Sequence, residues 1–405
     1  MSKILISLLG TGQQAKNIKI KNNYKKTDYI IDGQLYKDKY FVSSAIIEHF
    51  SIDKIFVIGT KESMWDNIAD YFHADEEYIM EIIDKKENKV LNSKDLEKLQ
   101  KFMDEKLGYI GSKCKIIEEG KDERELWLIF DEFLDIFDHI SKSDDIYFDI
   151  THLFRNVSVM SFIMAELLQI DKNTKIAGLF YGMFAKDEPS KIIDMSIFFE
   201  LLEWSRAINN LKSYGNSILL LQLINKSDLS TELKQSFENF SNALSVSDMG
   251  ALQQSIKQLK GKLILFESTK ILQLVSKDLK NFISRLSKNE PADFQFELAS
   301  WYIDNKNYAL AYITLLEAII TATCSRHNWD PFDKDMRKKA KDELYEYGNW
   351  GSTTKDKQKL NKIYNKIRDI RNAIAHKSSA KSSAKDSVAN IKQYLQDSKN
   401  LLRRV

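Results

Sequence analysis

Proline, cysteine and histidine are scarce in this chain, and net charge is almost absent. Three prolines occur in 405 residues, Pro189, Pro291 and Pro331, so about a hundred residues between the first two lack a strong helix breaker. Long helices suit such a stretch. The two cysteines, Cys114 and Cys324, lie far apart with no metal-ligand spacing around either. That excludes a disulfide framework and a thiolate metal site, and fits a reducing compartment. Of the six histidines, His49, His73, His139 and His327 have no partner at metal-binding spacing, so no metal is expected. With 60 Lys and Arg against 58 Asp and Glu, the formal net charge is +2. A generally cationic nucleic-acid coat is excluded, and any RNA contact must come from local basic patches. The first apolar run, Ile4 to Leu9, is too short for a signal-peptide core or a membrane span. The expected setting is cytoplasmic, without a membrane.

What is present divides the chain in two. Short β-branched runs at Ile4–Leu9, Lys54–Gly59, Lys115–Glu118, Asp145–Ile150 and Lys175–Tyr181 alternate with amphipathic segments. The helical segments include 43–50, 62–72, 96–107, 123–140 and 154–168. This alternation predicts an α/β domain with a Rossmann-like parallel sheet over residues 1–200. A polar segment, 16–31, is expected to form a hairpin over the first loop, and Lys191–Met195 a late antiparallel strand. From about Ser196 the β signals fade and 3.6-residue periodicity takes over, as in Ala309, Tyr312, Ile313, Leu316 and Ile320. An all-α domain over 201–405 is expected. The low-complexity stretch 377–387, KSSAKSSAKDS, reads as a mobile or weakly helical surface segment.

Two loops at strand ends carry ligand-binding chemistry. Gly10-Thr11-Gly12-Gln13 follows the first strand, where glycines let backbone N–H groups approach a phosphate and Thr11 adds a hydroxyl. It lacks the third glycine of a dinucleotide fingerprint and the lysine of a P-loop, and a tight turn is the plain alternative. The second loop lies in DIYFDITHLFRN, residues 145–156, where a strand runs through Asp149 into Thr151, His152, Arg155 and Asn156 before a helix. A hydroxyl, an imidazole, a guanidinium and an amide at a helix N-terminus suit an anion, with Arg155 as a phosphate fork and Asn156 for a base edge or ribose. The bland alternative makes Asp149 or Thr151 a helix cap and His152 a packing residue.

An opening strand ending in LLGTG, a central Asp149-x-Thr151-His152 motif with Arg155 shortly after, and a helical second half resemble the CRISPR-associated Rossmann-type sensor domain, CARF. Leu153 stands where the Asp-x-Thr-His-Gly branch of that family has glycine. The resemblance implies a dimeric domain that binds cyclic oligoadenylate, the messenger of type III CRISPR complexes, across its two-fold axis. Gly10, Thr11, Gly12, Gln13, Thr151, His152, Arg155 and Asn156 are then the expected ligand contacts, and the tetra-adenylate ring the expected activator.

Near the C-terminus, residues 364–377 read YNKIRDIRNAIAHK, with Ile363, Ile367, Ile370 and Ile374 spacing a buried helical face. Arg371, Asn372 and His376 fall away from it. Histidine serves as acid or base near neutral pH and arginine stabilises phosphorane-like charge, while the RNA 2′-hydroxyl attacks without metal and DNA is spared. Five residues place Arg371 and His376 about 140° apart on one helix. Two antiparallel copies of the helix around a two-fold axis would bring them together. Isolated, this pair reads as an exposed helix end. In context, RNAIAH is similar to the R-x-x-x-x-H motif of HEPN ribonucleases, and YALAYITLLEAIIT, residues 308–321, looks like that fold's first long helix. The resemblance implies an endoribonuclease leaving a 2′,3′-cyclic phosphate, with catalytic Arg371, Asn372 and His376, single-stranded RNA as substrate, no cofactor, a homodimer with higher assembly left open, and no stable DNA binding. Two competitors remain: a ring nuclease degrading the messenger in the sensor domain, and a non-catalytic nucleotide-responsive regulator.

Overall fold

The computed structural model describes residues 1–12, 26–185, 188–267, 270–348, 354–376 and 383–405. The chain divides into two compact units, Met1–Glu200 and Leu201–Val405. Gln13 and most of the expected 16–31 hairpin lie outside the described residues, as does most of the low-complexity stretch.

In chain order the first unit comprises β1 (Lys3–Leu9), β2 (Thr27–Ile31), β3 (Gln34–Lys39), α1 (Val42–Phe50), β4 (Lys54–Gly59), α2 (Trp65–Tyr71), α3 (Glu76–Glu87) and α4 (Glu97–Leu107). It continues with β5 (Lys113–Ile116), α5 (Glu123–Phe137), β6 (Asp145–Asp149), α6 (Arg155–Lys172), β7 (Lys175–Met183) and β8 (Ser190–Asp194). One eight-stranded sheet runs β3-β2-β8-β7-β6-β1-β4-β5. The β5-β4-β1-β6-β7 core is parallel, and β8 pairs antiparallel with β7. The parallel α/β class expected from the alternation is what the chain adopts.

β1 shows why. Ile4, Ile6 and Leu8 enter the core on one face of the sheet, and Leu5 and Leu9 enter the core on the other. Strands covered on both faces need continuous apolar runs, which KILISLL supplies with a single buried hydroxyl, Ser7. The chain lays β4 and β5 on one side of β1, then returns to lay β6 and β7 on the other. The carboxyl ends of β1 and β6 therefore flank a topological switch point, where open α/β sheets bind ligands.

The described end of the 16–31 segment belongs to a hairpin. It is β2–β3, Thr27 to Lys39, turning at Asp32 (φ 48°) and Gly33 (φ 82°). Two positive φ values in a two-residue loop give the turn whose twist matches paired strands.

The second unit is helical: α7 (Ile197–Tyr214, within which the division falls), α8 (Ile218–Lys226), α9 (Thr231–Val246), α10 (Met249–Lys260) and α11 (Lys270–Leu286). Then follow α12 (Pro291–Asp304), α13 (Tyr308–Arg326), α14 (Lys334–Glu346), α15 (Lys355–His376) and α16 (Ala384–Leu402). Side-chain caps from Ser230, Asp248, Asn307, Asp333 and Ser383 start α9, α10, α13, α14 and α16, and Pro291 opens α12 at its first turn. α13 packs against α12, α14, α15 and α16. It is apolar and long enough to cross a membrane by composition, but Leu315, Leu316, Ile319 and Ile320 are buried in this unit's core.

Candidate functional site

The strand ends of the first unit enclose a cleft of about 450 Å³. Gly10, Thr11 and Gly12 line it from the end of β1, Thr60 and Met64 from beyond β4, and Thr151, His152, Leu153 and Phe154 from beyond β6. Thr27, Tyr29, Tyr40 and Phe184 complete it. The loops after β1 and β6 thus line one cleft.

Its floor is a buried carboxylate. Asp149 is fully buried at the end of β6. The Ser43 hydroxyl donates to its Oδ2 (2.9 Å), where Ser7 Oγ also lies (3.1 Å), and the two hydroxyls are 2.5 Å apart. Its Oδ1 accepts from the Thr151 N–H (3.0 Å) and hydroxyl (2.6 Å). Thr151 Oγ1 in turn accepts the Gly182 N–H at 2.9 Å. Asp149 thus fixes the β6 loop against β1, α1 and β7, and caps no helix. The N-cap of α6, Phe154, offers no side-chain bond. A Cβ at Gly182 would sit 2.5 Å from Val42 Cγ2, so glycine there lets β7 come close to α1. Burial, aided by the Asp149 charge, pushes the Tyr29 phenol up to about 12, so it enters the cleft as a protonated donor.

The β1 loop is pinned as firmly. Gly10 O accepts the Met64 N–H (2.9 Å), and Leu9 O accepts the Ser63 hydroxyl (2.6 Å). A Cβ on Gly10 would lie 3.3 Å from His152 Cβ, so the two loops touch there. Leu153 adopts φ 72°, the left-handed conformation that glycine favours. The backbone shape expected of a glycine is kept with leucine, at a strain of about 1–2 kcal/mol.

His152 is part-buried, and its Nε2 is enclosed with no partner among the described residues. Burial holds its pKa below the ordinary value of 6.5, against the pull of Asp149. The imidazole is therefore neutral, with one nitrogen unsatisfied.

Arg155 and Asn156 lie outside the lining of this cleft. Asn156 Nδ2 donates to the Glu119 (3.0 Å) and Gly120 (2.8 Å) carbonyls, and its Oδ1 accepts the Val157 N–H (3.0 Å). Its amide is consumed in tying α6 to the loop after β5. Arg155 is exposed on the first turn of α6 and does not line the cleft. Among the described residues no lysine or arginine lines it; the polar lining there is loop backbone, hydroxyls and the His152 ring. Thr60 was legible as the residue after a strand flanking β1, whereas Tyr29, Tyr40 and Phe184 reach the cleft through long-range topology.

In the second unit Arg371, Asn372 and His376 all lie in the last two turns of α15. Arg371 and Asn372 are half-buried. The Arg371 charge reaches Tyr364, where it partly opposes burial and Glu317, which push that phenol up to about 12. The covered face of α15 comprises Leu360, Tyr364, Ile367 and Ile370. Ile374, expected to be buried, is 44% exposed, because the cover ends one turn earlier. Of the tryptophans, Trp301 is core and Trp329 stacks on His327, 4.4 Å between centroids.

Two family models match the chain. Residues 4–185 match the CARF domain of CRISPR system endoribonuclease Csx1, and residues 200–291 match the second domain of CRISPR-associated protein MJ1674. The chain is 33% identical over 434 aligned residues to CRISPR-associated protein MJ1674 of Methanocaldococcus jannaschii, and spans 66% of that protein's length. A solved structure, Enterococcus italicus Csm6 bound to cyclic hexa-2′-fluoro-hexa-dAMP, aligns at 14% identity over 99% of this chain and 93% of that one. Its TM-score is 0.42, too low to carry residue correspondences. Arg371, Asn372 and His376 lie beyond both matched family spans.

Proposed function

From the premise that this is a CRISPR-associated, MJ1674-like chain whose N-terminal unit is a CARF domain, we propose that it is a cyclic-oligoadenylate-activated, metal-independent endoribonuclease. The observation that carries the reading is the pairing, in one chain, of a sensor cleft at the switch point with an R-x-x-x-x-H segment on an emerging helix end. Cyclic tetra-adenylate binds across two copies of the sensor cleft. Gly10–Gly12 and Thr151 present N–H and hydroxyl donors to its phosphates, and His152 Nε2 gains the partner it lacks.

Self-association is supported by an exposed apolar stripe on α6 and an exposed isoleucine on α15. α6 exposes Val159, Ile163, Leu167 and Ile170 at helical spacing, beginning beside the cleft residue Phe154. Ile374 is exposed between Arg371 and His376. Two α15 ends meeting there place Arg371 of one subunit with His376 of the other around a phosphodiester. His376 moves the 2′-hydroxyl and leaving-group protons, Arg371 stabilises the equatorial charge, and Asn372 orients the phosphate. Activation requires the messenger to bind the assembled arrangement more tightly than the resting one.

The Thr151 hydroxyl is already engaged with Asp149 and Gly182, which weighs against a second, messenger-degrading activity through that residue. The test is cleavage of single-stranded RNA in EDTA, with and without cyclic tetra- and hexa-adenylate. Stimulation by the tetra-adenylate, lost in His376→Ala, is expected; wild-type cleavage by His376→Ala sinks the assignment.

A further inference from the structure

α15 carries seven cations, five lysines and two arginines, against two acids, Asp356 and Asp369, although the whole chain has a net charge of only +2. Four of the lysines, Lys355, Lys359, Lys362 and Lys366, are exposed and recur at intervals of four, three and four residues. That spacing keeps them on one face, one cation per helical turn, over about 16 Å of axis. Among the described residues none of the four has an ion-pair partner. Asp369, the next residue along the face, is paired with Arg368 at 3.2 Å.

An ordinary solvated helix interleaves opposite charges at these spacings, because like charges three or four residues apart repel. α14 follows the ordinary pattern, with five cations among four acids. On α15 the repulsion is left uncompensated, on the helix that also carries Arg371 and His376. The last lysine precedes His376 by ten residues, about 15 Å of rise.

We infer that the exposed lysine face of α15 is a track for the phosphate backbone of single-stranded RNA, delivering the strand to the helix end. A regular row of point charges on flexible stems suits a repeating anion and reads no sequence. This inference rests on the proposed ribonuclease reading, and adds the path by which substrate reaches the site.

The test uses the full chain with His376→Ala to hold RNA uncut, and a labelled single-stranded RNA followed by anisotropy across a salt series in EDTA. Adding Lys359→Gln, Lys362→Gln and Lys366→Gln together should weaken binding between about 10- and 100-fold at 0.1 M salt, and flatten the log–log salt slope by about 2. The matching triple on α14, Lys338→Gln, Lys339→Gln and Lys341→Gln, should change neither quantity appreciably. Equal losses from both triples, or an unchanged slope in the α15 triple, overturn the track. Wild-type cleavage by His376→Ala instead removes the catalytic reading, and the binding comparison is then made on 2′-O-methyl RNA, whose blocked 2′-hydroxyls cannot attack. Melting of both triples at the parent temperature, expected for exposed lysines, establishes that the comparison concerns binding.

Discussion

Replacing Asp149 with alanine should loosen the N-terminal unit around its cleft. The carboxylate receives Ser43 and Ser7 on one oxygen and the Thr151 N–H and hydroxyl on the other. Without it, one serine hydroxyl can still donate to the other, since they lie 2.5 Å apart, but one is orphaned. The Thr151 N–H is the second orphan, whereas the Thr151 hydroxyl, part-buried on the cleft lining, can turn to solvent. Each buried unsatisfied donor costs about 1–3 kcal/mol, so Asp149→Ala should lose about 2–6 kcal/mol. Asp149→Asn keeps one acceptor and the shape, and should lose less, about 1–2 kcal/mol. Ser43→Ala then separates this network from general damage. Alone it removes a bond to the carboxylate, but beside Asp149→Ala it removes the orphan, so the two should couple by at least about 1 kcal/mol. Urea unfolding of the N-terminal unit, followed by hydrogen exchange at Thr151 and Gly182, measures the cycle. An Asp149→Ala loss under about 1 kcal/mol, or strict additivity with Ser43→Ala, refutes the argument.

Two further perturbations probe the same loops. Leu153→Gly relieves left-handed strain while losing part-buried apolar surface, so unfolding should place it within about 1 kcal/mol of the parent. Leu153→Ile, β-branched at φ 72°, should fall at least about 1 kcal/mol below it. The depressed His152 pKa means the unfolded chain binds a proton that the folded chain resists. Its contribution to stability is therefore complete above the ordinary value of 6.5 and declines as pH falls below it. Unfolding at pH 7.5 and 5.5 should show a larger loss in the parent than in His152→Gln, where His139, also depressed by burial, still contributes; equal losses in both would exclude His152.

Legibility tracked burial. β1, β4 and β6 were readable because strands covered on both faces must be continuously apolar, and Lys54–Gly59 coincides with the observed strand. β5 was shifted by two residues because Lys113–Ile116 is half polar at the sheet edge. α3, EEYIMEIIDKKE, was passed over because only Tyr78, Ile79 and Ile82 are buried in a largely solvated helix. The β2–β3 hairpin is absent from the sequence reading although Asp32-Gly33, a strong turn signal, stands in the sequence. In the cleft, Gly10–Gly12 and Thr151–His152 were found because they follow apolar strands directly. The different fates of Arg155 and Asn156 depend on which way a helix start faces, and on two carbonyls 36 and 37 residues away in the chain. Short-range pattern contains neither.

The most direct test of the proposed shared active site is subunit mixing. Arg371→Ala and His376→Ala proteins, each silent alone in saturating cyclic tetra-adenylate, are mixed under exchange and assayed on single-stranded RNA in EDTA. Sites built from one arginine and one histidine of opposite subunits should recover about a quarter of wild-type activity, since half the dimers are mixed and one of their two sites is complete. A mixture that exchanges subunits fully yet stays as silent as its components would contradict the account.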